Sequence, residues 1–351
     1  MTVLFAGQDP YVTIEFRTSN WLAEQLEGNR LTDYICNLHD KRLVVYVSCT
    51  VSSWSPVSMD EFYYQMRVMK AIHGNMRVYP RESEALWDEL KIGDVRAFDE
   101  IAASGINFIY RPKTCFGVGK CSLPLPEGEH VVKKSYSCSG NDVKVLHAPA
   151  RHKLSCHIPR SEEIPNTDKL KSRHRRPAKK KHEKPDSHKN LWFHQEYLSS
   201  FGVLGEFRVF LCQGKVINSA ITKFSAGFRA EDELSGRVFA AKAVDENAFW
   251  WYSDVREQQR KKWEELYTFA EFVCDALSRR HDAQEHYESL EIGLRLDIGV
   301  SELTSNGVFF VNEATRFHCA DYMSDIISMP SYRTSEVLGK AIAEVYKSGR
   351  W

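Results

Sequence analysis

The sequence predicts a mixed fold, with an open α/β sheet at the start of the chain and antiparallel α+β structure after it. Three observations carry that reading. Up to about Phe116, short β-branched runs alternate with amphipathic helical patterns, the order that builds an α/β sheet. From Glu129 onward the texture changes to strands joined by small-residue loops. Gly293 to His318 then reads as a hairpin, two apolar strands around a Ser-Asn-Gly turn, and each strand delivers one carboxylate, Asp297 and Glu313.

The elements follow in order. Leu43 to Cys49 is a β-branched run suited to a buried strand. Phe62, Met66, Met69 and Ile72 recur at helical spacing and Gly74 supplies a stop, so a helix is expected over Phe62 to His73. Met76 to Tyr79 is a short strand ended by Pro80. Ser83 is the expected N-cap of the next helix, whose first turns carry Glu82, Glu84, Asp88 and Glu89. Asp94 to Ser104 is a further amphipathic helix, stopped by Gly105 and followed by a strand over Ile106 to Tyr110. His130 to Lys134 and Val143 to Leu146 are strands around a Ser/Gly loop, Ser135 to Asp142. Leu191 to Leu198, Gly205 to Leu211 and Lys215 to Phe224 are strands. In the second of these Phe207, Val209 and Leu211 share one face, and Glu206, Arg208 and Phe210 the other. Asp254 to Ser278 is a long helix with Trp263, Leu266, Tyr267, Ala270, Val273 and Leu277 along its apolar line. A helix over Ser335 to Lys347 closes the pattern with Val337, Leu338, Ile342 and Val345 inward.

At 351 residues and 43% hydrophobic content the chain can bury a large core, which excludes a disordered protein. Its formal net charge is zero but unevenly placed: Lys169 to Lys189 holds ten Lys or Arg against Glu183 and Asp186, giving +8 there and −8 elsewhere. Ala148 to Asn190, rich in Pro, His and Lys, cannot bury enough apolar area to fold alone and is expected to be a disordered insertion. It contains no Phe, Tyr or Trp, so base stacking has no platform there. No apolar run approaches the ~18 residues of a membrane helix, and the N-terminus lacks the basic head and apolar core of a signal peptide. A cytoplasmic location is expected, with the nucleus as the alternative through the basic insert. Nine cysteines, an odd number with no C-x-x-C pair, fit reduced thiols better than a disulfide framework.

In a hairpin Asp297 and Glu313 can meet across the ladder. Buried carboxylates side by side repel, and persist where a positive group, most often a divalent cation, lies between them. On a solvated rim they would be ordinary strand-end acids. The Gly119-Lys120 pair is not a P-loop, because Thr114 stands where the motif needs Gly and Cys121 replaces the hydroxyl residue. More specific than any single motif is the order of the pieces: V-V-K ending at Lys133, the Ser/Gly loop, Q-E-Y-L from Gln195, G-E-F-R-V-F from Gly205, the long helix, R-L-D ending at Asp297 and V-N-E ending at Glu313. Over about Met76 to Ser324 this order resembles the ATP-grasp superfamily, the group that includes D-alanine:D-alanine ligase and glutathione synthetase.

The resemblance implies an ATP-grasp fold: an N-terminal open α/β domain over residues 1–116, a small subdomain over 117–200 interrupted by the basic insert at about 148–190, and a large subdomain over 201–351. The two α+β subdomains would clamp ATP between antiparallel sheets. It implies that Lys133 binds phosphate oxygens and that the following loop, with Ser137, Ser139 and Gly140, closes over the triphosphate. Glu196, Tyr197 and Leu198 would hold the adenine through an acidic side chain and a main-chain amide, and Glu206 the ribose hydroxyls. Asp297 and Glu313 would hold Mg2+, with Mn2+ as the alternative metal. Arg295, Arg316 and Lys223 are the basic residues near that site, suited to holding an acyl phosphate. The family commonly ends this hairpin in E-x-N. Here Asn312 precedes Glu313 and Thr315 stands two residues after it, so the third ligand is Asn312 from a shifted register, Thr315 or water. The family's earlier phosphate-binding lysine is Lys91 or Lys113.

The activity implied is ligation: a substrate carboxylate attacks ATP, an acyl phosphate forms, and an amine displaces phosphate. The expected partner is a small molecule or peptide bearing a carboxylate, with no membrane involved. Two alternatives stand beside it: phosphotransfer to a hydroxyl in the same fold, and a non-catalytic ATP-binding scaffold that associates with nucleic acid through the basic insert.

Overall fold

The computed structural model describes residues 10–15, 17–27, 30–38, 42–46, 57–89, 91–105, 107–116, 130–134, 143–146, 192–224, 239–317 and 333–348. The basic insert, the Ser/Gly loop with Ser137, Ser139 and Gly140, and His318 lie outside them.

Helices α1 (Ser19–Leu26) and α2 (Arg30–Cys36) come first, then β1 (Leu43–Tyr46), α3 (Met59–Ile72) and β2 (Met76–Tyr79). The Ser58 hydroxyl caps α3 by accepting from the Glu61 amide at 3.1 Å, and Asp60 and Glu61 favour the positive end of its dipole. The buried side of α3 carries Tyr63, Met66 and Met69 and is completed by His73, while Ile72 is 49% exposed. The expected apolar line was therefore one position off at its end. Among the described residues β1 and β2 form a two-stranded parallel sheet, packed on Leu31, Ile35, Met66 and Met69.

Next come α4 (Glu82–Glu89) and α5 (Lys91–Ala103). Both begin earlier than the sequence suggested. Ser83 is not the cap; its hydroxyl donates to the Glu285 carbonyl at 2.7 Å. The segment expected as a strand over 106–110 is not one among its described residues; it has no regular backbone pairing, and Phe108 is wholly buried edge-on against Phe269.

A four-stranded sheet of order β3-β6-β4-β5 is built from β3 (Thr114–Cys115), β4 (His130–Lys134), β5 (Val143–Leu146) and β6 (Trp192–Glu196), antiparallel throughout. After the short α6 (Ser200–Val203), a five-stranded antiparallel sheet of order β11-β10-β7-β8-β9 is made from β7 (Glu206–Cys212), β8 (Lys215–Phe224), β9 (Phe239–Ala243), β10 (Gly293–Val300) and β11 (Phe309–Arg316). One face of it is apolar: Phe207, Val209, Leu211, Leu294, Leu296 and Ile298 pack against Leu266, Ala270, Val273 and Leu277 of α7 (Arg256–Ser278). Each of these leucines, fully removed from water, is worth about 1.5–3 kcal/mol. The short α8 (Ala283–His286) follows α7, and α9 (Arg333–Ser348) joins Leu338, Ala341 and Val345 to Cys212, Ile292, Phe317 and Tyr79. Among the described residues no helix is long and apolar enough to cross a membrane.

Candidate active site

The opposite face of the five-stranded sheet carries a polar patch bordered by the buried Phe210 and Phe310, and strand pairing dictates which side chains meet there. Asp297 on β10 lies between Arg208 on β7 and Glu313 on β11. Side chains alternate along a strand, so Arg295 and Thr315, two residues from each acid, share that face. The register shifts at this point: Asp297 pairs with Glu313 but Ile298 pairs with Val311, leaving Asn312 as an extra residue in a β-bulge. With Glu313 held opposite Asp297, a regular ladder would have put Asn312 opposite Ile298, on the apolar side. The bulge instead brings it to the acids, where its Nδ2 donates to Glu206 Oε1 at 2.7 Å and its Oδ1 accepts from Lys133 Nζ at 2.7 Å.

Among the described residues the acids Asp297, Glu313 and Glu206 thus face four cations, Arg208, Arg295, Lys91 and Lys133. Arg295 grips Asp297 with both arms, Nε to Oδ1 at 2.6 Å and Nη2 to Oδ2 at 2.8 Å, and Nη2 also donates to Thr315 Oγ1 at 2.9 Å. Lys91, the first residue of α5, reaches both Glu313 oxygens at 3.1 and 3.2 Å. Lys133 arrives from the other sheet. Protonation follows from this packing. Burial pushes the Glu206 carboxyl up to about 7, and the Asp297 charge adds to it. Burial lowers Lys133 to about 8, helped by the Lys91 charge. Burial alone would raise Glu313, but Lys91 and then Arg295 overcome it and hold Glu313 below the usual carboxylate range.

Not every expected residue joins this group. Arg316 stands an odd number of positions from Glu313 and pairs opposite Leu294, on the apolar side. There it is wholly buried in an ion pair with Asp94, with Nη2 at 2.7 Å from Oδ1, beside Glu84 and the Tyr287 ring. Lys223 is likewise out of phase with Glu206 and Thr222, and its Nζ donates to the Val203 carbonyl at 2.8 Å. Both were expected beside the phosphate; β-strand parity turns them away. Glu196 falls on the face of β6 opposite to that of Lys133, since Lys133 pairs with Phe193. Its carboxylate takes the Lys113 amide at 3.1 Å and the Tyr110 hydroxyl at 3.4 Å. Gln195, buried and bonded to Thr114 Oγ1 at 3.0 Å, shares the Lys133 face and was not singled out from sequence, although its neighbour was. Leu198 is buried in the main core, with Tyr197 beside it. Of the two candidate lysines only Lys91 contacts the acids, and the amide rather than the ammonium of Lys113 is engaged at Glu196. Arg111 escaped sequence reading altogether: it bonds Asp99 at 2.8 Å and the carbonyl of Val311, next to the bulge.

Asp297, Glu313, Glu206 and the Asn312 amide present oxygen donors only, the set a hard divalent cation prefers. Among the described residues no three His, Cys, Asp or Glu converge as a ready-made cage. A cation here would bind through one or two carboxylates and fill its shell with water or phosphate oxygens, the usual mode for Mg2+. Lys91 and Lys133 could then turn from the protein oxygens to the same phosphates.

The chain resembles ATP-grasp ligases of known structure. D-cycloserine synthetase DcsG is 14% identical, matching 87% of this chain and 84% of its own with a TM-score of 0.47. The ATP-grasp ligase PsnB complexed with a minimal precursor is 11% identical over 86% of this chain and 78% of its own, with a TM-score of 0.43. D-alanine–D-alanine ligase from Bacillus anthracis is 11% identical over 88% of this chain and 99% of its own, also at 0.43. No family model matches the sequence, and no curated protein matches it.

Proposed function

We propose that this chain is an ATP- and Mg2+-dependent ligase that activates a substrate carboxylate as an acyl phosphate for attack by an amine. One observation carries the reading: lysines from two separate elements, Lys133 on the small sheet and Lys91 on α5, converge on Asn312 and Glu313, where a second sheet pairs Glu313 with Asp297. Opposed acids and amines at the junction of two sheets are what a metal-bound triphosphate requires.

In this reading Asp297, Glu313 and Asn312 hold the metal, and Thr315, engaged by Arg295, positions that arginine. The ion held there would supply positive charge against that developing on the transferred phosphoryl group. Lys133 and Lys91, turned from Asn312 and Glu313 when nucleotide binds, then donate to phosphate oxygens before charge develops. Their ammonium groups need no reorganisation as charge builds, which is how such groups lower a barrier. Arg295, braced by Asp297, presents a planar guanidinium to the carboxylate or its acyl phosphate. The domain division at residues 117 and 201 is kept as part of this proposal, with the nucleotide between the two sheets.

The test is nucleotide-dependent stabilisation. Mg-ATP should raise the melting temperature of the wild-type chain, and Asp297→Asn and Glu313→Gln should abolish the rise. If neither variant alters it, the site assignment is wrong. Hydroxylamine then separates the chemistries, since an acyl phosphate is trapped as a hydroxamate, whereas phosphotransfer to a hydroxyl leaves nothing to trap.

A further inference from the structure

The bulge that gathers Asn312 and Glu313 on one face needs something to hold it. Were it to relax with Val311 kept opposite Ile298, Asn312 would face Asp297 and Glu313 would slide opposite Leu296, onto the apolar side of the sheet. A side chain from outside the strand pair touches the backbone there. Arg111 donates from Nη1 to the Val311 carbonyl, the residue immediately before the extra one, and from Nε to Asp99 Oδ1 at 2.8 Å. Its guanidinium lies over the rings of Phe98 and Phe108, at 5.3 and 6.0 Å, and is almost wholly removed from water. Burial depresses its pKa despite the Asp99 charge, so the cation is kept in an unfavourable setting. Asp99 belongs to α5, the helix that also places Lys91 against Glu313.

We propose that Arg111 is a positioning residue for the metal-binding strand: it ties the Val311 carbonyl to α5, keeps Asn312 looped out, and so holds Asn312 and Glu313 beside Asp297. The proposal rests on the metal–nucleotide reading above. Supporting side chains of this kind typically change metal affinity by about 10–100-fold when removed.

The experiment measures affinity for a fluorescent ATP analogue with and without Mg2+, and takes the ratio as the metal-dependent enhancement. Arg111→Met keeps the aliphatic stem between Phe98 and Phe108 but removes every donor. The expected result is a loss of roughly tenfold in the enhancement, with metal-free affinity unchanged. Arg111→Lys, which can still reach one of the two oxygens, should recover part of it. A role confined to general stability would lower the melting temperature and leave the ratio alone. Wild-type enhancement retained in Arg111→Met overturns the proposal and leaves the ligase reading standing. No enhancement in the wild type overturns both. Should Arg111→Met fail to fold, Asp99→Ala, a change at a partly exposed residue, decides in its place: a reduced enhancement supports the proposal and an unchanged one overturns it.

Discussion

Replacing Arg316 by Met isolates the ion pair that fastens α5 to the end of β11. The side chain has no exposure, its carboxylate partners Asp94 and Glu84 are 7% and 0% exposed, and Asp94 also accepts from the Tyr287 hydroxyl at 3.0 Å. Met fills much of the volume, so the loss is chiefly one of charge: two carboxylates stay buried near each other without their cation. Breaking a buried pair from one side costs about 3–5 kcal/mol. At about 2 °C per kcal/mol for a long chain, the melting temperature should fall by roughly 6–10 °C. Differential scanning fluorimetry without ligand reads this directly, and Lys340→Ala, which breaks an exposed pair with Glu336, serves as the control expected to change nothing. Adding Asp94→Leu and Glu84→Met to Arg316→Met should restore much of the loss, because no charge is then stranded. An Arg316→Met protein that melts with the wild type would refute the idea that this network binds the first hundred residues to the large sheet.

Other outcomes follow from the same geometry. Lys91→Ala should weaken Mg-ATP binding by about tenfold, the value of a charge-assisted contact worth ~1.5 kcal/mol, whereas Lys113→Ala should not; equal effects in a titration would remove Lys91 from the site. Glu206 is raised from 4.5 to about 7, so the folded state binds the extra proton and ligand-free stability falls as pH rises across that window. Lys133 is lowered from 10.5 to about 8, so the unfolded state binds the extra proton and stability recovers from pH 8 upward. Melting curves against pH should therefore dip between these windows, and Glu206→Gln should erase the lower limb; an unchanged limb would show that another group causes it. At Gly293 an added Cβ would come within 2.5 Å of the Leu211 carbonyl oxygen and 2.7 Å of Leu338, so Gly293→Ala should cost about 1–3 kcal/mol in a urea titration by prising β7 from β10.

Much of this was legible in the chain because periodicity reports burial. The helix of α7 and the strands of β7 and β10 carry their core-facing apolar residues at the spacing of their element. Parity was equally available and would have separated Arg316 from Glu313 and Lys223 from Glu206, since odd separations on a strand face opposite ways. Other features could not be read. An apolar segment such as that around Phe108 looks like a strand whether backbone partners exist or not. The bulge at Asn312 breaks the alternation that parity relies on, and the Val311 carbonyl beside it is bonded by Arg111, two hundred positions earlier. For the same reason the choice between Asn312 and Thr315 was posed as exclusive, whereas alternation keeps Thr315 on the face of Glu313 and the bulge adds Asn312 to it, one bonded to Arg295 and the other to Lys133.

The charged seam between α5 and β11 also sets an order of events during synthesis. Asp94 is made 222 residues before Arg316, and Glu84 precedes its Ser289 donor by 205. At 5–20 residues per second, a ribosome takes roughly 10–45 s to supply the arginine. Until then Asp94 and Glu84 lack Arg316 and Ser289, and burying them would leave each charge unmatched. When β11 emerges, the same groups become the latch. The segment that completes the site is also the one that closes the N-terminal region, so a nascent chain halted before residue 316 should remain open to protease at α4 and α5 and unable to retain nucleotide.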